Sequence, residues 1–169
     1  MTKRLDQQFF LSDAVDVAKA LLGKVLVRRF DSGLIIRRQI TETEAYRGED
    51  DLACHACKGL TPRTKVMYQQ GALVYVYLIY GMHWMLNFVT SEAGFPAAVL
   101  IRAVEGTSGP GRVGRLLELD ASFYGEDLTV SQRIWIEDQG HVPQINASAR
   151  IGVAYAGSWA LKPWRFTAE

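Results

Sequence analysis

The chain has 169 residues, 49% hydrophobic and 22% charged, enough to bury most of its apolar surface in one core without disulfide or metal support. Nineteen Lys and Arg against 18 Asp and Glu give a formal net charge of +1, which excludes the global basic footprint of a nucleic-acid binder and leaves only a local patch for such contacts. Two cysteines, and an amino end (MTKRLDQQFF) without an apolar run leading to a small-residue cleavage site, predict a reducing, cytoplasmic setting.

In chain order, LSDAVDVAKALLG supplies Ser12 or Asp13 as an N-cap, apolar residues at helical spacing (Ala14, Val17, Ala18, Leu21) and Gly23 as a stop, which predicts a helix. KVLVRRF and LIIRRQITETEAY, parted by Asp31, Ser32 and Gly33, predict a β-hairpin. RTKVMYQQG reads as a short helical turn ending at Gly71. The stretch from Leu73 to Val89 sits at the short limit for a membrane-spanning helix and carries Gly81, His83 and Asn87 in its centre or inner half. Its β-branched and aromatic residues favour two strands bending at Gly81 instead. AAVLIRAV, RIWIED and RIGVAY predict further strands, and RVGRLLEL a helical piece after a Gly-Pro-Gly turn. With no repeat, low-complexity tract or linker, the pattern predicts one domain over residues 1–169, an α+β fold on a mostly antiparallel β-sheet with flanking helices.

Strand alternation projects Glu42, Glu44 and Tyr46 together, with Thr41, Thr43 and Ala45 opposite. Two strand glutamates are ordinarily a solvated face. Here Arg102 interrupts AAVLIRAV and, pointing inward, needs a partner, for which Glu44 is the candidate, in a catalytic or a structural ion pair. In YVYLIYGMHWMLN, Tyr75, Tyr77 and Ile79 share a face, and Tyr80 stands beside Gly81 at a tip. Taken alone, these tyrosines fit plain packing with partnered hydroxyls. Cys54 and Cys57 form a C-x-x-C around His55, which invites a zinc or redox reading. Only His83 and His141 remain to complete a ligand set, and no βαβ pattern flanks the pair, so neither metal nor cofactor is implied.

Five blocks, TETEAYRGEDDLACHACKGLTPRTKVMY, GALVYVYLIYGMHWMLN, AAVLIRAVEG, SGPGRVGRLL and ARIGVAYAGSWALKPWRF, run in this order from about Phe9 to Phe166. Together they resemble the alkyladenine (3-methyladenine) DNA glycosylase family. The resemblance implies a metal-independent, cofactor-free enzyme similar in fold to the carboxy-terminal domain of methionyl-transfer-RNA formyltransferase, with a β-hairpin projecting to DNA. Such an enzyme flips alkylated or deaminated purines (3-methyladenine, 7-methylguanine, hypoxanthine, ethenoadenine) out of duplex DNA and hydrolyses the N-glycosidic bond, leaving an abasic site in base excision repair. An alkylated purine is cationic and leaves readily, so one carboxylate that polarises water and faces an oxocarbenium-like transition state is enough.

By this resemblance Glu44 is the general base and Arg102 its partner in holding the water. Tyr46, His55 and Tyr77 look like the walls that stack on the flipped base. Asn87 resembles the residue that crowds the purine 2-position against the amino group of guanine, and Tyr80 the wedge that fills the gap left by the flipped nucleotide. Arg63, Met67 and Met82 correspond to positions near the DNA or the opposite strand, and Arg112 to a phosphate contact where the family often has lysine. The implied partner is double-stranded DNA containing damaged purines, bound by a monomer away from membranes, in the cytoplasm (nucleoid-associated if bacterial) or the nucleus. No matched motif places a lysine for a Schiff base, so strand cleavage is not expected. Only Thr107 separates RAVEG from SGPG, where the family usually has a longer helical insertion. DNA contacts from that segment are expected to be missing, and the near-zero charge predicts weak non-specific binding. Two rivals differ in what they need: a non-catalytic damaged-base-binding module would keep the pocket without the Glu44 and Arg102 pair, and a formyl-transfer protein would lack the TETEAY and YGMH blocks.

Overall fold

The computed structural model describes residues 2–169. The amino end forms strand β1 (Lys3–Arg4), the one-turn helix α1 (Gln7–Phe10) and helix α2 (Ala14–Leu21). Asp13 caps α2 by accepting a hydrogen bond from the Val15 N–H at 2.9 Å, and Ala14, Val17, Ala18 and Leu21 are its buried face. Gly23, with φ of 83°, turns the chain out of the helix, a conformation that a residue with Cβ resists. Strands β2 (Val25–Arg29) and β3 (Ile35–Arg47) then pair as the expected hairpin.

Strands β4 (Val74–Ile79) and β5 (His83–Val89) make a second hairpin, from Val74 opposite Phe88 to Ile79 opposite His83. Its tip bends through Tyr80 and Gly81, both at positive φ, and the Met82 N–H donates to the Ile79 carbonyl at 3.0 Å. Strand β6 (Ala97–Val104), the short β7 (Thr107–Ser108), helix α3 (Pro110–Leu116) and strands β8 (Ile134–Asp138), β9 (Ile145–Ser148) and β10 (Arg165–Ala168) complete the element order. Every strand pairing is antiparallel, in the order β1-β8-β2-β3-β6-β5-β4, with β10 also on β3, β9 on β10 and β7 on β6. No helix among the described residues is long and apolar enough to cross a membrane.

The pleat sorts the sheet's two faces. Val74, Val76, Leu86, Phe88, Val99, Ile101, Ile40 and Ala45 join residues of α2 and α3 in the main core. Burying each such aliphatic or aromatic side chain contributes roughly 1.5–3 kcal/mol before conformational entropy is subtracted. Thr43 points the same way, its hydroxyl donating to the Ala18 carbonyl at 2.8 Å. Their neighbours Glu44, Tyr46, Tyr75, Tyr77, Met85, Asn87, Ala98, Leu100 and Arg102 lie on the opposite face, which is covered by 3-10 turns at His55–Lys58 and Lys65–Tyr68 and by the loop around 150–155.

One expected element is absent. RIGVAY is not a strand but a bend leading into the 3-10 segment Ala154–Leu161, because its backbone is engaged elsewhere. Gly152 has φ of 75°, and the Ile151 N–H donates to a side chain rather than to a ladder. The strand character in this part of the chain falls instead on β9 and β10, which pair with each other and through β10 with β3.

Candidate active site

On the face of the sheet away from α2 and α3 lies a cavity of about 240 Å³. Glu44 and Tyr46 reach it from β3, Tyr75 and Tyr77 from β4, Asn87 from β5 and Arg102 from β6, while His55 and Met67 close it from the covering turns. Seven of the eleven residues singled out in the sequence therefore line one space. The other four lie outside it. Tyr80 is 89% exposed at the hairpin tip, beside Met82 at 64%. Arg112 is exposed on α3, and Arg63 is exposed with its guanidinium 5.0 Å from the Tyr77 ring centroid.

Glu44 is completely buried, and a carboxylate withdrawn from water is tolerated only when its oxygens are partnered. The Tyr46 hydroxyl donates to Oε1 at 2.8 Å, and the Ile151 N–H donates to Oε2 at 2.7 Å. Arg102 Nη1 stands 3.6 Å from Oε1. A carboxylate accepts about four hydrogen bonds. Among the described residues Glu44 has no further donor, so part of its accepting capacity is open where it lines the cavity. Burial, and next the Glu44 charge, raise the Tyr46 pKa far above that of a free tyrosine, which keeps the phenol protonated as a donor.

Arg102 pairs with Glu44 as expected, but its hydrogen bond goes to Glu42, Nε to Oε1 at 3.3 Å. The register explains its aim. Glu42 faces Ala103 and Thr43 faces Ile101, so Arg102 is the extra residue of a bulge in β6. Glu42 also accepts from Arg165 Nη1 at 2.8 Å, which anchors the group that holds Arg102.

The aromatic side of the cavity is likewise fixed. His55 and Tyr77 meet edge to face with centroids 4.5 Å apart, Tyr75 and Tyr77 lie 5.4 Å apart, and the Tyr75 hydroxyl sits 2.8 Å from His55 Nδ1. Burial, together with the charges of Arg63 and Lys58, lowers the His55 pKa to about 4, so the imidazole is neutral at physiological pH. Burial pushes Tyr77 up to about 12. Asn87 is 3% exposed, and its Nδ2 donates to the Tyr75 carbonyl at 3.2 Å, which commits one end of the amide.

Cys54 is buried, which pushes its thiol up to about 12, away from the thiolate that a metal or a nucleophile needs. Among the described residues no group of three or more His, Cys, Asp or Glu side chains is placed to hold a metal ion.

The family model for methylpurine-DNA glycosylase matches residues 8–108 and 105–169. The chain belongs to this family. Similar proteins include one from Methanocella arvoryzae, 44% identical over 182 residues and covering 96% of this chain and 90% of the relative. One from Borreliella burgdorferi is 42% identical over 176 residues, with 96% and 94% covered, and one from Psychrobacter cryohalolentis is 40% identical over 178 residues, with 86% and 84% covered. Each carries the provisional name 3-methyladenine DNA glycosylase. The two matched segments meet at residues 105–108, where β7 closes a tight connection between Gly106 (φ 79°) and Gly109 (φ 105°).

Asp51, Arg150 and Ile151 escaped the sequence reading although they border this site. Arg150 and Asp51 form a fully buried ion pair across 99 residues of chain, and the Ile151 contribution is a backbone N–H. Neither has a local signature, and an arginine inside the apolar run RIGV was the one available hint.

Proposed function

We propose that the chain is a monofunctional DNA glycosylase that removes alkylated or deaminated purines from duplex DNA. The observation that carries this reading is a fully buried carboxylate, Glu44, held by two hydrogen bonds and the nearby Arg102 guanidinium where it lines an aromatic cavity. Burying a carboxylate is costly even when it is partnered, and a charge held in a cleft beside aromatic rings is a candidate functional group.

In the proposed reaction the damaged purine is extruded into the cavity and stacks among Tyr46, His55 and Tyr77. Electron-rich phenol rings attract a cationic alkylated base. Glu44 accepts a proton from a water molecule that Arg102 helps to hold, and the water oxygen bonds to C1′ of the deoxyribose. The C1′–N bond breaks and its electron pair leaves with the base, so a cationic purine departs neutral and needs no acid, whereas a neutral base such as hypoxanthine departs with a negative charge and takes a proton from a solvent water in the cavity. Neutral His55, with Nδ1 engaged by the Tyr75 hydroxyl, offers Nε2 to the base or sugar. Asn87, fixed by its bond to Tyr75, crowds the purine 2-position and raises the cost of admitting guanine. Outside the cavity, Tyr80 wedges into the duplex from the hairpin tip, with Met82 beside it, and Arg63 and Arg112 contact the DNA.

The test is to incubate the protein with methylated DNA, and with duplexes holding one hypoxanthine or ethenoadenine, and to identify released material by mass spectrometry. Free modified base and intact abasic strands are expected, with no covalent complex trapped by borohydride. Tight lesion binding without release would replace the enzyme by a damaged-base-binding module, and a trapped complex would contradict the monofunctional mechanism.

A further inference from the structure

Arg150 and Asp51 have no part in the chemistry above, yet each is bonded to the site's framework. Arg150 Nη1 donates to Asp51 Oδ2 at 2.6 Å and to the Ala45 carbonyl at 3.0 Å. Nη2 donates to Asp51 Oδ1 at 2.9 Å and to the Trp159 carbonyl at 3.0 Å. The guanidinium lies 4.9 Å from the Tyr46 ring centroid and 5.0 Å from that of Trp164. Of its nitrogens only Nε lacks a partner among the described residues. Asp51 in turn accepts from the Arg47 and Ala53 N–H groups, each at 3.1 Å.

A buried ion pair often does no better than apolar residues of the same volume, so stability is a poor account of it. Its position gives a better one. The pair ties together two cavity walls, residues 47–55 with Ala53 and His55, and residues 150–155 with Ile151, Gly152, Val153 and Tyr155. Arg150 grips the carbonyl of Ala45, between Glu44 and Tyr46, and the next residue, Ile151, delivers its N–H to Glu44 Oε2.

We infer that Arg150 and Asp51 are a positioning pair for Glu44, docking the 150–153 loop so that the Ile151 N–H aims the carboxylate. This rests on the glycosylase reading given above. Two of the three stacking residues have anchors of their own, His55 in the Tyr75 hydroxyl and Tyr77 in β4, and the Tyr46 ring is carried by β3 itself, so the pair governs the reacting geometry more than the capture of the base.

The experiment compares wild type with Arg150→Lys and Asp51→Asn on an ethenoadenine duplex by single-turnover base release. Affinity is measured in parallel on a duplex whose ethenoadenine nucleotide carries a 2′-fluoro sugar, which keeps the base and resists cleavage. The release rate falls about tenfold to a hundredfold, the worth of a hydrogen bond to a charged group, while Kd stays within about a factor of two. Lysine does not rescue Arg150, because it keeps the charge but lacks the planar fork that serves Asp51 and two carbonyls. Parallel losses of rate and affinity, or an unchanged rate in a folded variant, overturn the inference. Amide exchange gives a second readout: Ile151 is protected in the wild type and exchanges faster in Arg150→Lys and Asp51→Asn, and unchanged protection in a folded variant overturns the inference. Free exchange at Ile151 in the wild type overturns the proposal. Absence of base release by the wild type would defeat the glycosylase reading, a result distinct from either of these.

Discussion

Replacing Tyr46 by phenylalanine removes one oxygen and leaves the ring, which separates two jobs that this residue holds at once. The ring lines the cavity, and the hydroxyl donates to Glu44 Oε1 at 2.8 Å. Because burial and the Glu44 charge keep the phenol protonated, that donor is present at every working pH. A hydrogen bond to a charged group is worth about 1.5–3 kcal/mol, and about 1.4 kcal/mol is a factor of ten in rate, so excision slows about 10- to 150-fold. Glu44 keeps the Ile151 N–H and the longer Arg102 contact, so activity is reduced rather than abolished. Stability falls by about 1–3 kcal/mol because a buried acceptor loses a partner, or about 2–4 °C in Tm per kcal/mol for a chain of this size. The assay is single-turnover release of hypoxanthine at saturating enzyme, with affinity read by fluorescence anisotropy on a tetrahydrofuran duplex. A wild-type rate at unchanged affinity would refute the claim that the hydroxyl orients the base.

Three further outcomes follow from the same geometry. Tyr80→Ser, at a side chain 89% exposed, alters stability by no more than about 0.5 kcal/mol, yet it reduces base extrusion followed by 2-aminopurine fluorescence beside the lesion. Undiminished extrusion would count against the wedge. His55 has a folded pKa of about 4 against 6.5 for the free side chain, so between those values the unfolded chain binds more protons and stability rises with pH. Urea unfolding across that window should show stability lost as pH falls and the slope reduced in His55→Gln; an unchanged slope would mean that His55 is not the group. Gly114→Ala would place a Cβ 2.0 Å from the Trp84 carbonyl oxygen where α3 packs on β5. Backbone cannot yield there as a flexible side chain does, so a loss of about 3 kcal/mol or more is expected, and a melting curve that matches wild type would contradict the packing.

Much of the sheet was legible because its strands carry their own period. Val74 and Val76 against Tyr75 and Tyr77, and Glu44 and Tyr46 against Thr43 and Ala45, show the two faces in the bare sequence. The helix at Ala14–Leu21 was equally plain, since Asp13, the apolar stripe and Gly23 are local signals. What was hidden is non-local. RIGVAY has the apolar alternation of a strand, but Arg150 is drawn into an ion pair with Asp51, 99 residues away, and Gly152 bends the chain. Strands β9 and β10 are short, and β9 is largely exposed, so neither has the apolar run that marks a strand. The site was half visible for the same reason. Side chains that share a strand face declared themselves, whereas the β6 bulge that aims Arg102 at Glu42 depends on register with β3, and the Ile151 donor is backbone.

The central claim is that Glu44 activates water to release a damaged purine, and it is tested most directly by comparing wild type with Glu44→Gln in single-turnover release from one hypoxanthine duplex. The amide preserves the shape but removes the proton acceptor. Free hypoxanthine from the wild type, with none from Glu44→Gln despite retained lesion binding, is the predicted result, and equal release by both proteins would contradict it.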